Sequence, residues 1–210
     1  MRPEELSLGF ENVNRLYPGK APAALAQRER IFLYALVYSL SPTYSLEIGT
    51  WKGGSAYIIS GALDDIQTGG KLLCLEPNPG RIEVDLKEIE HNVTIHKGFF
   101  PGDMSAHFDG HPTRGLFDFC FLDADHGYEA VWSYCAGLTR FMTKNAYILC
   151  HDAYNQQTSQ ALKEACHEFG YIDCGMISRC CNDEDPRQLY GGFRLLKATD
   201  ATTTCSSSRK

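Results

Sequence analysis

The sequence predicts an α/β fold in which a doubly wound, seven-stranded and mostly parallel sheet ends in an antiparallel hairpin. Short apolar runs with strand character alternate with segments of helical character along most of the chain. This alternation is typical of a parallel sheet that is covered on both faces by helices. The last two apolar runs have no helix between them, which favours an antiparallel pair at one edge. A chain of 210 residues is long enough for one such domain with a full core.

The predicted strands are short apolar runs, and they span residues 44–49, 71–76, 93–96, 117–122, 146–150, 171–177 and 190–197. The predicted main helices span residues 22–40, 55–66, 79–91, 128–142 and 156–169, and a short helix follows the turn at 99–102. Proline opens the first and third of these helices, because its fixed φ suits the first helical turn. Glycine pairs or single glycines close the second and the last, where a left-handed residue is needed.

Three segments make up the predicted domain organisation. Residues 1–20 are polar and form an N-terminal segment that is a candidate cap over the substrate. Residues 21–198 form the α/β domain itself. Residues 199–210 are rich in threonine and serine, and we expect them to be a disordered tail.

Composition excludes several classes of function. The net charge of -6 gives no sign of a nucleic-acid-binding surface. No apolar run reaches the roughly 18 residues that span a membrane, and the N-terminus lacks the pattern of a signal peptide. The nine cysteines are an odd number, and Cys74, Cys120 and Cys150 lie in predicted buried strands. We therefore expect a cytoplasmic protein without a disulfide framework, and we leave a homodimer open.

A glycine-rich turn follows the first predicted strand, in the sequence Glu47-Ile-Gly-Thr-Trp-Lys-Gly-Gly-Ser55. Glycine is used where the backbone needs a positive φ or where a ligand comes close. A helix that begins after such a turn offers free backbone N–H groups to a ligand. The spacing does not fit the Gly-x-Gly-x-x-Gly fingerprint of nicotinamide cofactors. The turn therefore predicts a ligand-binding loop, with a plain strand-to-helix connection as the alternative.

Glu76 ends the second predicted strand, at the same edge of the sheet as the glycine turn. In dinucleotide-binding folds a carboxylate at this position accepts hydrogen bonds from ribose hydroxyls. The sequence therefore predicts a ribose-binding role for Glu76. The alternative is a solvated carboxylate that caps the following helix.

Two polar clusters follow the fourth and fifth predicted strands. Asp123, Asp125 and His126 come directly after one buried apolar run, and His151 and Asp152 come after the next. Because parallel strands end at a common edge, Asp123, His151 and Asp152 are expected to converge. Carboxylates suit magnesium or manganese, and the histidine also permits iron or zinc. Strand-end residues that are hydrogen-bonded without a metal are the alternative.

At these positions the chain resembles the class I S-adenosylmethionine-dependent methyltransferases, above all the small-molecule O-methyltransferases typified by catechol O-methyltransferase. Their loop pattern Glu-x-Gly-x-x-x-Gly-x-Ser is matched by Glu47, Gly49, Gly53 and Ser55. The sequence Phe-Leu-Asp-Ala-Asp-His-x-Tyr after the fourth strand is similar to that of bacterial natural-product sugar O-methyltransferases. The resemblance covers residues 25–198 and implies a Rossmann-like methyltransferase fold.

The resemblance also implies roles for individual residues. Gly49, Trp51 and Ser55 would line the methionine part of S-adenosylmethionine, Glu76 would hold its ribose, and Phe100 would flank its adenine. The first metal-binding acid of the family falls on Asp123.

Three positions depart from the pattern of the catechol enzyme. Its second metal-binding acid falls on His151, its metal-binding asparagine on Asp152, and its catalytic lysine on His126. A histidine can also accept a hydroxyl proton near neutral pH, so His126 is the predicted general base. His151 is the alternative base, and a divalent metal such as magnesium or manganese at Asp123, His151 and Asp152 would assist the reaction.

The predicted activity is methyl transfer from S-adenosylmethionine to a hydroxyl of a small molecule. A nucleotide-dependent oxidoreductase is one alternative, and the absent fingerprint and the terminal hairpin disfavour it. A module that binds the cofactor without turnover is the other alternative. The polar clusters at one edge of the sheet disfavour that second alternative.

Overall fold

A computed structural model of the chain describes residues 11–17, 19–104, 115–178, 191–200 and 202. The strands are Tyr44–Ile48 (β1), Lys71–Glu76 (β2), Val93–Lys97 (β3), Phe117–Leu122 (β4), Met142–Cys150 (β5), Ile172–Met176 (β6) and Arg194–Lys197 (β7). The α-helices of these residues are Gln27–Leu40 (α1), Gly54–Ile66 (α2), Tyr128–Phe141 (α3) and Gln156–Phe169 (α4).

All seven strands form one sheet in the order β3-β2-β1-β4-β5-β7-β6. Neighbouring strands from β3 to β5 are parallel, and β7 runs antiparallel to both β5 and β6. The predicted fold class and its terminal hairpin are therefore confirmed. The strand order reverses between β1 and β4, and ligands of open α/β sheets bind outside the carboxyl ends of strands at such a reversal.

Side chains of each central strand alternate between two buried layers. Phe119 and Phe121 of β4 belong to the cluster that includes side chains of α1 and α2. Cys120 and Leu122 point the other way, into the cluster that includes side chains of α3 and α4. Both faces of the sheet are thus covered, which explains why the central strands are mostly apolar. Among the described residues, no helix combines the length and apolar character needed to cross a membrane.

The first helix begins at Gln27, and the prediction that it begins at Pro22 is wrong. The buried guanidinium of Arg30 explains the difference, because it donates hydrogen bonds to the carbonyls of Ala21, Ala23 and Leu25. Those carbonyls are therefore unavailable to a helical ladder. The residues before Gln27 form an extended strap along the start of α1.

The predicted helix over residues 79–91 is also wrong. This region holds two short 3₁₀ turns, Pro79–Arg81 and Leu86–Glu88. Between them Ile82 is extended, and the N–H of Glu83 donates to the carbonyl of Lys52 in the glycine loop. A tertiary backbone hydrogen bond has thus replaced the helical one that Pro79 favoured locally.

Other predicted bounds shift by a few residues. Strand β5 begins at Met142 rather than residue 146, because Met142 pairs with Phe117 before the polar residues that hide the strand in the sequence. The α3 helix ends one residue early for the same reason. The predicted start of the last strand at Tyr190 and most of the predicted tail lie outside the described residues.

The described part of the N-terminal segment forms a 3₁₀ helix, Glu11–Leu16, that packs on α2. Asn12 donates both its backbone and side-chain N–H groups to Asp65. Arg15 donates to Ser60 and pairs with Asp64 at 3.2 Å. None of these residues lines the cavity described below, so the cap over the substrate stays a prediction for residues 1–10, which lie outside the described ranges.

Candidate active site

A cavity of about 600 Å³ lies at the carboxyl ends of the parallel strands. Its walls come from the loops after β1, β2, β3, β4 and β5, together with the strap before α1. The predicted site residues that line it are Gly49, Trp51, Ser55, Glu76, Phe100, Asp123, His126, His151 and Asp152. Glu47 and Gly53 are the two predicted cofactor residues outside this lining.

The glycine loop approaches β4 closely at Gly49. Gly49 has a φ of 86°, and a Cβ added there would lie 2.8 Å from Ala124 Cα and would also collide with the carbonyl oxygen of Asp123. Trp51 follows in the left-handed region with a φ of 49°. Gly53 has a φ of 88°, and its missing Cβ makes room for Val84 instead of a ligand. The loop is therefore fixed by packing against two neighbouring segments.

Glu76 organises this loop from below. Its Oε2 accepts hydrogen bonds from the N–H groups of Thr50 and Trp51, at 3.1 and 2.8 Å. Its Oε1 accepts from the N–H of Asn78 at 2.8 Å. A carboxylate has about four acceptor positions, so one position on Oε1 stays open toward the cavity. Glu76 can therefore accept one full hydrogen bond from the two ribose hydroxyls that the sequence predicts as its partners.

Glu47 is completely buried beneath the loop. Its Oε2 accepts a hydrogen bond from the hydroxyl of Thr50 at 2.9 Å, and its Oε1 has no hydrogen-bond partner among the described residues. Burial therefore raises the pKa of Glu47 to about 7. Glu47 supports the loop through Thr50 rather than lining the cavity.

The raised pKa of Glu47 predicts a pH dependence of stability. The folded state holds this proton more tightly than the unfolded state, so the free energy of unfolding should fall as pH rises from about 4.5 to about 7. We expect Glu47→Gln to remove a part of that decline, on the order of 3 kcal/mol. Urea unfolding at several pH values measures it, with the exposed Glu90→Gln as control. An unchanged slope in Glu47→Gln would contradict the assignment.

Aromatic side chains form one end of the cavity. Phe99 is 67% exposed, whereas Phe100 is buried and packs against Tyr134 of α3 with ring centroids 6.4 Å apart. Gly137 of α3 makes this packing possible, because an added Cβ would lie 2.8 Å from the Phe100 ring. Phe99, Phe100 and Tyr134 all line the cavity, so this end suits a flat apolar group.

The other end holds two imidazoles among carboxylates. His126 Nε2 lies 3.0 Å from Asp152 Oδ2 and 3.6 Å from Asp123 Oδ1. His151 Nδ1 lies 3.0 Å from the same Asp123 oxygen, and the backbone N–H of Gly191 donates to Asp152 Oδ1. His126 is 37% exposed through its side chain, whereas that of His151 is only 3% exposed. His126 is therefore the imidazole that a ligand in the cavity can reach.

The charges of this cluster shift its pKa values. Hydrogen bonding to Asp123 and Asp152 raises the pKa of His126 to about 9. Burial lowers the pKa of His151, but the charge of Asp123 overcomes it and brings the value to about 10. At Asp123 and Asp152, burial raises the pKa and the neighbouring imidazoles lower it. The imidazoles together have the larger effect, so both pKa values lie below their usual range. Without a ligand, both imidazoles are charged at neutral pH.

The metal-binding geometry differs from the set in the sequence prediction. Donor atoms of Asp123, His126 and Asp152 lie within 4.8 Å of one another. The two ring nitrogens of His151 instead face Asp123 and Glu29. His126 therefore takes the place that the sequence prediction gave to His151 as the third metal ligand.

Two parts of the site were missed in the sequence. Ala23 and Ala24 of the strap line the cavity, and Glu29 of α1 lies 3.5 Å from His151 Nε2 through its Oε2. In the sequence both belong to the predicted first helix and carry no motif. The only available signal was the pair of charged residues Glu29 and Arg30 beside a dense apolar run.

Several known proteins resemble this chain in sequence or in fold. A family model described as a methyltransferase domain matches residues 46–153. The structure of the O-methyltransferase from Bacillus cereus in complex with SAH has a TM-score of 0.65 and 18% identity, over 92% of this chain and 91% of that one. TomG from Streptomyces achromogenes, an O-methyltransferase involved in tomaymycin synthesis and solved with SAM, has a TM-score of 0.63 and 18% identity, over 95% and 91%. A comparison with curated proteins found no match.

Proposed function

This chain belongs to the methyltransferase-domain family whose model it matches over residues 46–153, and from this premise we propose that it is an S-adenosylmethionine-dependent O-methyltransferase. The acceptor is the hydroxyl of a small molecule. The observation that carries the proposal is one cavity with the glycine loop and Glu76 on one side and His126 on the other. The two O-methyltransferase structures of the same fold support it.

The cavity fits the proposed cofactor. Its aromatic end, at Phe99 and Phe100, suits adenine, and the open acceptor position of Glu76 suits a ribose hydroxyl. The methionine part would lie along Gly49 and Trp51, where an added Cβ at Gly49 would collide with the backbone after β4. S-adenosylmethionine supplies a methyl group on a positively charged sulfonium.

His126 supplies the proton acceptor in this proposal. His126 is the more exposed imidazole of the cluster, and Asp123 and Asp152 lie against its Nε2, which is itself buried. A bound sulfonium would place a positive charge near the ring and would lower the pKa of His126 from about 9 toward neutrality. The neutral ring of His126 would then accept the proton of the acceptor hydroxyl, and positioning would supply much of the remaining rate.

Calorimetry with S-adenosylhomocysteine tests the proposal directly. We expect the protein to bind it and to bind no NAD. Glu76→Ala should weaken binding by about 1–3 kcal/mol, because the loop N–H groups and one ribose hydroxyl lose their acceptor. The surface variant Glu90→Gln serves as the control. Binding of NAD alone would favour the oxidoreductase instead, and binding without methyl transfer to any hydroxyl would indicate a module without turnover.

A divalent metal is the second candidate for activating the hydroxyl, and the triad within 4.8 Å favours it. Two carboxylates and an imidazole suit manganese or magnesium. Such a metal would be held by Asp123, His126 and Asp152, and it would lower the pKa of the acceptor hydroxyl. In that case His126 would be a ligand, because one lone pair on Nε2 cannot serve both roles.

Titration with manganese chloride tests the metal. We expect binding that weakens at least about tenfold in Asp152→Asn, since one of the two charged ligands is lost. The exposed Asp85→Asn should leave it unchanged. If calorimetry detects no manganese binding and exhaustive chelation leaves turnover intact, the metal has no part in the mechanism and His126 remains as the base.

We also propose a cytoplasmic location. The described cysteines, Cys74, Cys120, Cys135, Cys150, Cys166 and Cys174, are all free thiols, which agrees with a reducing compartment. The homodimer stays a prediction that sedimentation analysis can check.

A further inference from the structure

A carboxylate outside the predicted site lies behind its imidazoles. Glu29 is in the first turn of α1 and is completely buried. Its Oε2 accepts a hydrogen bond from the N–H of Ala26 at 2.9 Å. That bond alone is an ordinary helix-capping contact, in which the side chain of the third helical residue accepts from the backbone N–H of the residue that precedes the helix.

The other contacts of Glu29 exceed what a helix cap needs. Its Oε1 accepts a hydrogen bond from the N–H of Gly192 at 2.7 Å, across 163 residues of sequence. Its Oε2 lies 3.5 Å from His151 Nε2, a buried nitrogen with no hydrogen-bond partner in the described part of the chain. A buried carboxylate is costly unless it is paired, so this arrangement indicates a specific role for the charge.

Two routes lead from Glu29 to the acids that flank His126. Through His151 it reaches Asp123, since His151 Nδ1 lies 3.0 Å from Asp123 Oδ1. Through the backbone of Gly192 it reaches Asp152, because the preceding N–H of Gly191 donates to Asp152. Both acids lie against His126 Nε2, at 3.6 and 3.0 Å.

We infer that Glu29 is a positioning residue, which holds His151 and the Gly191–Gly192 backbone so that Asp123 and Asp152 keep His126 in place. The inference rests on the proposed function, in which His126 faces the acceptor. Glu29 itself does not line the cavity, so its effect passes through the imidazoles.

The His151 ring reports this role without any substrate. Its Nδ1 lies 3.0 Å from Asp123 Oδ1 and its Nε2 lies 3.5 Å from Glu29 Oε2, so the ring signals of His151 depend on both carboxylates. In protein freed of metal, proton NMR resolves the carbon-bound ring protons of His151, assigned by their loss in His151→Asn. Ring signals of His151 that stay unchanged in both Glu29→Gln and the more conservative Glu29→Asp would overturn the inference.

The variant Glu29→Gln removes the charge while keeping the shape. We expect it to shift the ring signals of both His151 and His126. Arg30→Gln is the matched control, because Arg30 is buried on the same helix and holds the same strap but has no contact with His151 in the structure. It should lower the melting temperature and leave the His151 signals in place.

A purely structural Glu29 would give the opposite pattern. Glu29→Gln would then lower the melting temperature as Arg30→Gln does, with the His151 and His126 signals unchanged, and the inference would be wrong. Binding of S-adenosylhomocysteine to the wild-type protein is measured in parallel. If that binding fails, the proposed function falls, whereas the spectra decide separately whether Glu29 positions the ring.

Discussion

Turnover should fall on the order of 10²–10⁴-fold in His126→Ala, while affinity for S-adenosylhomocysteine stays within about twofold of wild type. The reason is that His126 has the more exposed ring of the acid–imidazole cluster, with 37% of its side chain exposed, whereas the loop and Glu76 are the groups proposed to hold the cofactor. Initial rates on a hydroxyl acceptor that the wild-type protein methylates measure the loss.

The pH profile gives an independent check on His126. Only the neutral imidazole accepts a proton, so kcat should rise with pH, with a midpoint at or below the free-protein pKa of about 9. The profile should flatten in His126→Ala. Normal turnover in that variant would move the base to another group. If turnover fell only as far as the lower melting temperature reduces the folded fraction, His126 would instead be a structural residue.

Gly49→Ala should abolish measurable cofactor binding and lower the free energy of unfolding by several kcal/mol, roughly 2–4. The added Cβ would lie 2.8 Å from Ala124 Cα and against the carbonyl of Asp123, both of them backbone. The φ of 86° adds strain for any residue with a side chain. Either the loop after β1 or the end of β4 must move, and both border the cavity.

Gly69→Ala is the matched control for this variant. Gly69 also has a positive φ, of 76°, but an added Cβ there meets nothing within 4 Å. It should show the cost of the backbone conformation alone, about 1 kcal/mol, with cofactor binding intact. Urea unfolding and calorimetry on both variants separate the two effects. Similar results for the two would mean that the close approach at Gly49 is unimportant.

Local signals explain why the sheet and much of the cavity lining were predictable. The central strands are largely apolar and buried, and the polar residues that follow them mark the edge where strands end. Asp123 and His126 were found because they follow β4, which is apolar apart from Asp118. Parallel topology then dictates that they lie near the glycine loop after β1.

Most of the misses come from contacts between residues distant in sequence, whereas the late start of α1 comes from Arg30, which binds carbonyls five to nine residues before it. The helix expected after Pro79 gives way to a backbone bond from Glu83 to Lys52. Glu29 contacts His151, which follows β5, and Gly192, which precedes β7, so both partners lie far from it in the sequence. In the sequence Glu29 is one of several charged residues in a first helical turn, where Glu is ordinary.

Two backbone hydrogen bonds from the glycine loop to Glu76 have a kinetic consequence. They hold the loop in its bent form before any ligand arrives. The loop therefore loses its conformational entropy during folding, and binding of the cofactor costs no further ordering of the loop. Association should then follow a single phase that is linear in ligand concentration, because no slow ordering step precedes capture.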